Sequence, residues 1–184
     1  VVSFFLLFTY KKKFFSALTK SGIPGFIGGA ILSLGFASYV FAMYETTVAN
    51  TNFIIQTQTL FLAIFGYVFL KETISKLTFF CILLAISGIF LMLGTTISPG
   101  EMTDNLVAFI MPISFAILIL IVRKFPDVDM IPLQLVAGIF AMIIGLLMSP
   151  TIIISSKDIF LGFLAGFFQL GFGFILITIG ARST

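Results

Sequence analysis

TVANTNFIIQTQTLFLAIFGYVFL, Thr47–Leu70, runs for 24 residues without a charge. As a helix it reaches about 36 Å, enough to cross roughly 30 Å of hydrocarbon. Its second half is almost wholly apolar, while its first half holds an unusual density of amides and hydroxyls. On a 100° wheel Thr47, Asn50, Thr51, Ile54, Gln58, Phe61 and Phe65 share one face, and Asn52, Gln56 and Thr59 the opposite one. Polar side chains at membrane depth are costly unless partnered or turned to water. One face can line a hydrated cavity that offers amides and hydroxyls to a solute. The same groups can instead bond between helices, or, for the threonines, back to their own helix.

The rest of the chain has the same character. Of its 184 residues 60% are hydrophobic and 9% charged, where soluble domains carry about a quarter charged. Such a chain lacks the polar surface to cover itself in water. Lipid leaves each segment to satisfy its own backbone, so the apolar runs predict helices. Alternating segments of about ten residues, the mark of a transmembrane β-barrel, are missing. Six complete spans are expected: Pro24–Tyr44, Thr47–Leu70, Leu77–Thr96, Leu106–Val122, Ile131–Met148 and Ile159–Ala181. The first ten residues, VVSFFLLFTY, predict a partial span already under way. Positive charges follow that stretch instead of preceding it, so it does not read as a signal peptide.

Charge placement gives the orientation. Lys11, Lys12, Lys13, Lys20, Lys71, Lys76, Arg123, Lys124 and Arg182 fall on one side of the membrane, and Lys157 on the other. That asymmetry puts the Lys11–Lys20, Lys71–Lys76 and Arg123–Lys124 loops in the cytoplasm. The plasma membrane, in a bacterium the cytoplasmic membrane, is the expected location. The KKK run reads as an anchor beside anionic headgroups, not as a nucleic-acid site.

An internal repeat is visible. GFIGGAILSLGF, from Gly25, aligns with GFLAGFFQLGF, from Gly162, once one residue is deleted. The two copies are five spans apart and so cross in opposite directions, as in transporters built from inverted repeats. A five-helix unit then divides the chain. Residues 1–97 are the last four helices of an N-terminal repeat, the first of them partial. Residues 98–104 are an extracytoplasmic loop, and 105–184 the first three helices of a C-terminal repeat. On this reading the chain is a fragment of an all-α, ten-helix (5+5) bundle. The Gly25/Gly29 and Gly162/Gly166 pairs, each G-x-x-x-G, predict close helix packing.

Little here suggests catalysis. Histidine is absent and Cys81 is the single cysteine, which removes the commonest metal ligand and general base. No acidic residue lies deep in a span, for Glu45 and Glu72 sit at span ends. No catalytic residue, cofactor or metal is expected. Tyr39 and Gln169 lie mid-span as cavity candidates, and Pro112 can kink its helix. The expected substrate-binding set is Tyr39, Asn50, Gln58, Phe61 and Gln169.

TTVAN opening a helix, TLFLAIFGYVFLKE closing it, and a following helix ending SGIFLML together resemble the first repeat of EamA-type transporters of the drug/metabolite transporter superfamily. FQLGFGFILITIGAR resembles the third helix of that family's second repeat. The resemblance covers essentially the whole chain, and Thr46–Glu72 is its most specific part. It implies ten helices in two inverted repeats, and a secondary transporter moving a small metabolite by alternating access. An amino acid, a nucleobase or a related compound is the implied cargo, and export the favoured direction. Where the family usually has proline before Leu-Phe, this chain has Thr59, so a proline kink there is not carried over. A lipid-linked sugar flippase of similar architecture and a non-catalytic membrane subunit are the alternatives. The expected partners are a small-molecule metabolite and the lipid bilayer, with no nucleic acid; a homodimer is left open.

Overall fold

The computed structural model describes residue 16 and residues 19–95, 99–149 and 155–182, without the side chains at 92–95, 99–103, 169, 170, 174 and 182. The expected partial span and the Lys11–Lys13 run lie outside the described residues. Within them the elements are helical. They are α1 (Gly22–Glu45), α2 (Val48–Gln56), α3 (Gln58–Leu70), α4 (Lys76–Thr95), α5 (Pro99–Ala108), α6 (Ile110–Lys124), α7 (Leu133–Met148), α8 (Ser156–Leu164), a π segment (Ala165–Phe172) and α9 (Gly173–Arg182). Among the described residues three helical stretches are long and apolar enough to cross a membrane: Gly22–Glu45, Val48–Leu70 and Asp104–Lys124. Lys76–Leu91 and Leu133–Met148 are shorter apolar helices.

Each expected span has a helical counterpart, and the departures have local causes. Helix α5 begins at Pro99, inside the segment read as a loop. Proline suits a first helical turn. The fourth span is broken at Phe109, whose N–H bonds the Leu106 carbonyl three residues back at 3.2 Å. Pro112 explains this, since it offers no N–H to Ala108 and its ring crowds that carbonyl. The second span is broken at Thr57, with no proline nearby. Here the Ile54 carbonyl accepts both the Thr57 N–H, at 3.0 Å, and the Thr57 hydroxyl, at 2.6 Å. A carbonyl drawn onto a three-residue closure interrupts the regular ladder.

Contacts divide the chain into two units: the described residues of Val1–Ser33 with Ile121–Thr184, and Leu34–Leu120. In the first, α1 and α7 approach closely. A Cβ on Gly29 would lie 2.8 Å from the Leu133 carbonyl oxygen and 2.8 Å from Val136 Cβ. Phe26 meets Phe140 edge-on with centroids 5.6 Å apart. The expected packing role of the Gly25/Gly29 pair thus has its cause in a backbone contact at Gly29. At Gly162 and Gly166, by contrast, a Cβ would meet nothing within 4 Å among the described residues. Before α8, Ser155 accepts from the Asp158 N–H and its hydroxyl lies 2.7 Å from the Asp158 carboxylate, a reciprocal cap.

In the second unit Ala42, Ile54 and Ala108 form a buried cluster from α1, α2 and α5, with Phe109 packed against it. The Thr46 hydroxyl donates to Asn105 Oδ1 at 3.1 Å, tying the α1–α2 corner to α5. A Cβ on Gly35 would meet Ser114 Cβ at 3.0 Å. Helix α3 ends with Lys71 in the left-handed region, φ 58°, and the Glu72 N–H reaches back six residues to the Gly66 carbonyl at 3.2 Å. A left-handed residue at a helix end is usually glycine, and here Lys71 takes the place.

Two expectations follow for the purified full-length protein, read as thermal unfolding in detergent. Gly29→Ala should lower stability by about 1–3 kcal/mol, because backbone sits where the methyl must go. Gly162→Ala should leave it unchanged or raise it slightly, and equal shifts for the two would refute the packing assignment. Lys71→Gly should exceed Lys71→Ala in stability by about 1 kcal/mol, since both lose the charge and only glycine relieves the left-handed strain.

Candidate functional site

The polar helix is built by its own side chains. Thr47 caps α2 by accepting from the Asn50 N–H at 3.1 Å. Most of the remaining polar groups then turn back on the helix. Thr51 donates to the Thr47 carbonyl at 3.1 Å and Asn52 Nδ2 to the Val48 carbonyl at 2.8 Å. Thr57 donates to the Ile54 carbonyl, and Thr59 to the Gln56 carbonyl at 3.1 Å. Each bonds within its own helix, and the three threonine hydroxyls thereby use their only hydrogen. The carboxamides of Asn50 and Gln58 are different. Both are half-buried, and neither has a hydrogen-bond partner among the described residues.

Apart from Thr47, the exposed cap, burial separates the two faces read from the wheel. Thr51 and Ile54 are buried, and Asn50, Gln58, Phe61 and Phe65 are half-buried. Asn52, Gln56 and Thr59 are exposed. Phe61 holds its position through aromatic contacts. It meets Phe109 edge-on, with centroids 6.3 Å apart and planes at 85°, and Phe65 at 6.0 Å. The Thr57 break falls between Ile54 and Gln58, so it sets where the Gln58 amide leaves the helix. Broken helices with open polar groups are tolerated at membrane depth where they line a cavity or are buried in protein.

Tyr39 lies half-buried on α1 in the same unit as Asn50, Gln58 and Phe61. Gln169 belongs to the other unit, within the π segment, and its side chain lies outside the described residues. No group of three or more His, Cys, Asp or Glu among the described residues could hold a metal.

One pair went unread in the sequence. Gln134, in the first turn of α7, donates through Nε2 to Thr178 Oγ1 of α9 at 3.0 Å, and both residues are buried. A single amide in the apolar run LQLVAGIF was the available signal.

The sequence model of the EamA-like transporter family matches residues 1–94, just over half of the 184 residues. Comparisons with curated proteins and with solved structures found no match. The matched stretch includes α1, α2, α3 and nearly all of α4, and with it the capped, broken polar helix. The chain therefore belongs to the EamA-like transporter family, whose members are integral membrane transporters and not enzymes.

Proposed function

We propose that this chain is part of a secondary transporter that exports a small metabolite, an amino acid, a nucleobase or a related compound, by alternating access. The observation that carries the reading is the division of labour along α2 and α3. Thr51, Asn52, Thr57 and Thr59 bond to their own helix, while the half-buried Asn50 and Gln58 amides have no such bond. An amide has two donors and an acceptor with two lone pairs, and leaving these unmet in a membrane is expensive. A solute that hydrogen-bonds them recovers that cost when it binds. Phe61, edge-on to Phe109, adds an apolar wall on which a planar or aliphatic solute can rest. Tyr39 and Gln169 complete the proposed set on the strength of their positions in the sequence.

The architecture proposed with this function is ten helices in two inverted five-helix repeats. Residues 1–97 supply the last four helices of the first repeat and 105–184 the first three of the second. The loops with Lys71–Lys76 and Arg123–Lys124 face the cytoplasm, with the protein in the plasma membrane. Family membership over residues 1–94 supports membrane transport, and the charge asymmetry supports the orientation.

The test is metabolite profiling of medium and cytosol from cells expressing the complete gene, with Gln58→Ala and Asn52→Ala beside it. A small metabolite should move between compartments with the intact gene. Gln58→Ala should slow that movement on the order of tenfold, the worth of one or two hydrogen bonds, and Asn52→Ala should leave it near wild type. Redistribution of a lipid-linked sugar between leaflets, with no soluble metabolite moving, would replace this reading with a flippase. An equal loss in both variants would remove the assigned role of the Gln58 face.

A further inference from the structure

Away from the polar helix, the first contact unit holds a groove of about 420 Å³ between α1 and α7. Its walls are Phe26, Val136, Ile139 and Phe140, and Thr19 and Ser21 form its lip. The cause is local. Helix α1 presses on α7 at Gly29. Where the chain enters α1, however, Gly22 stands in the left-handed region, φ 56°, with no side chain to fill the space. Phe26 and Ile139 are 55% and 47% exposed, which leaves the groove open at the surface. Lys20 lies between the two lip residues in sequence, is exposed, and has no ion pair among the described residues. Among those residues no carboxylate lines the groove.

That combination selects an amphipath. Pockets for polar solutes have volumes of this order, roughly 300–1,000 Å³, but they need convergent polar groups. Beyond the lip these walls offer none. An acyl chain needs only apolar wall, and in a membrane it is the solvent at hand. Any lipid-facing surface takes a chain, so what distinguishes this groove is the cation at its lip. A lysine at the membrane surface favours anionic headgroups by about fivefold, and basic pockets between helices are where such headgroups settle. We propose that the α1–α7 groove holds one anionic phospholipid, an acyl chain lying against Phe26, Ile139 and Phe140 and the phosphate on Lys20. The proposal does not depend on the cargo reading. It requires a bilayer around α1 and α7, which membership of an integral membrane family supplies.

The experiment puts a reporter in the groove of the complete transporter, reconstituted in phosphatidylcholine vesicles. Phe26→Trp keeps an aromatic wall and adds tryptophan to a stretch of 184 residues that has none. Leu84→Trp, at an exposed position of α4, reports ordinary lipid contact. Brominated phosphatidylglycerol and brominated phosphatidylcholine of the same chain length are titrated in, and quenching of the fluorescence added over the parent protein is read. In Phe26→Trp the phosphatidylglycerol should be preferred about fivefold, and in Leu84→Trp the two lipids should quench about equally. Adding Lys20→Ala should bring the Phe26→Trp ratio down to that of Leu84→Trp, and Lys20→Arg should restore it. Equal quenching by both lipids in Phe26→Trp reduces the groove to ordinary lipid contact and overturns the proposal. Quenching by neither means that another stretch of protein covers the groove, which also overturns it. A preference that survives Lys20→Ala takes the phosphate away from Lys20 and has the same consequence. Should Phe26→Trp not fold, Ile139→Trp on the facing wall carries the same comparison. None of these outcomes bears on the metabolite assay with Gln58→Ala, so the two readings fail separately.

Discussion

Hydrocarbon supplies no hydrogen-bond donor or acceptor, and this organises the whole chain. Backbone groups close on themselves as helices, and the polar side chains follow the same rule. Thr51, Asn52, Thr57 and Thr59 each return a hydrogen to a carbonyl three or four residues back. A hydroxyl spent this way has no hydrogen left to give a solute and can only accept, so a helix that looks uniformly polar in sequence is not uniformly available. Asn50 and Gln58 stand out as the half-buried amides of this helix that the same economy has not consumed, Gln56 being exposed. The rule also isolates Gln134, whose one end is met by Thr178 while the other is not.

Between helices, lipid removes the usual drive to bury apolar surface, and close approach takes its place. Small residues sit where helices touch: Gly29 against Leu133 and Val136, Gly35 against Ser114, Ala42 and Ala108 around Ile54. Large apolar residues point away, as Phe80, Leu84 and Leu91 of α4 do, all exposed. In water that distribution would be ruinous, and in lipid it is the expected solvent contact. Sequence likeness does not ensure equal packing, however. Gly25/Gly29 and Gly162/Gly166 read alike, yet only at Gly29 does backbone press on the absent Cβ.

How much of this was legible depended on the range of the interaction. Span positions follow from hydropathy summed over about twenty residues, so Pro24–Tyr44 was read where Gly22–Glu45 stands. The two faces of α2 and α3 were legible because a helical period carries from Thr47 to Phe65 despite the break. Its substrate role still rests on chemistry, since position alone does not name a ligand. What escaped depends on single contacts. The helical start at Pro99 was hidden by a polar composition that suits a loop equally well. Gln134 was hidden because one amide among apolar neighbours is usually met by a neighbour, and its orphaned oxygen exists only in three dimensions.

The two broken helices make the same point from opposite directions. Pro112 advertises its break, because a missing N–H and a crowded carbonyl follow from the residue type wherever it stands in a helix. Thr57 does not, for most threonines bond back to their helix without ending it, as Thr51 does to the carbonyl four residues earlier. The difference is the acceptor. Thr51 reaches the i−4 carbonyl, in line with the α-helical ladder, whereas Thr57 and its own N–H both converge on the i−3 carbonyl of Ile54. That convergence tightens one turn and releases the next. Thr59 stands before Leu-Phe where a proline would break the helix by itself, yet the helix is interrupted two residues earlier. Interruption by a hydroxyl costs less than interruption by proline, because the N–H survives and can return to the ladder. Phe61 stands one turn beyond that break, edge-on to Phe109 beside the proline break, so the two interruptions face each other through one aromatic pair.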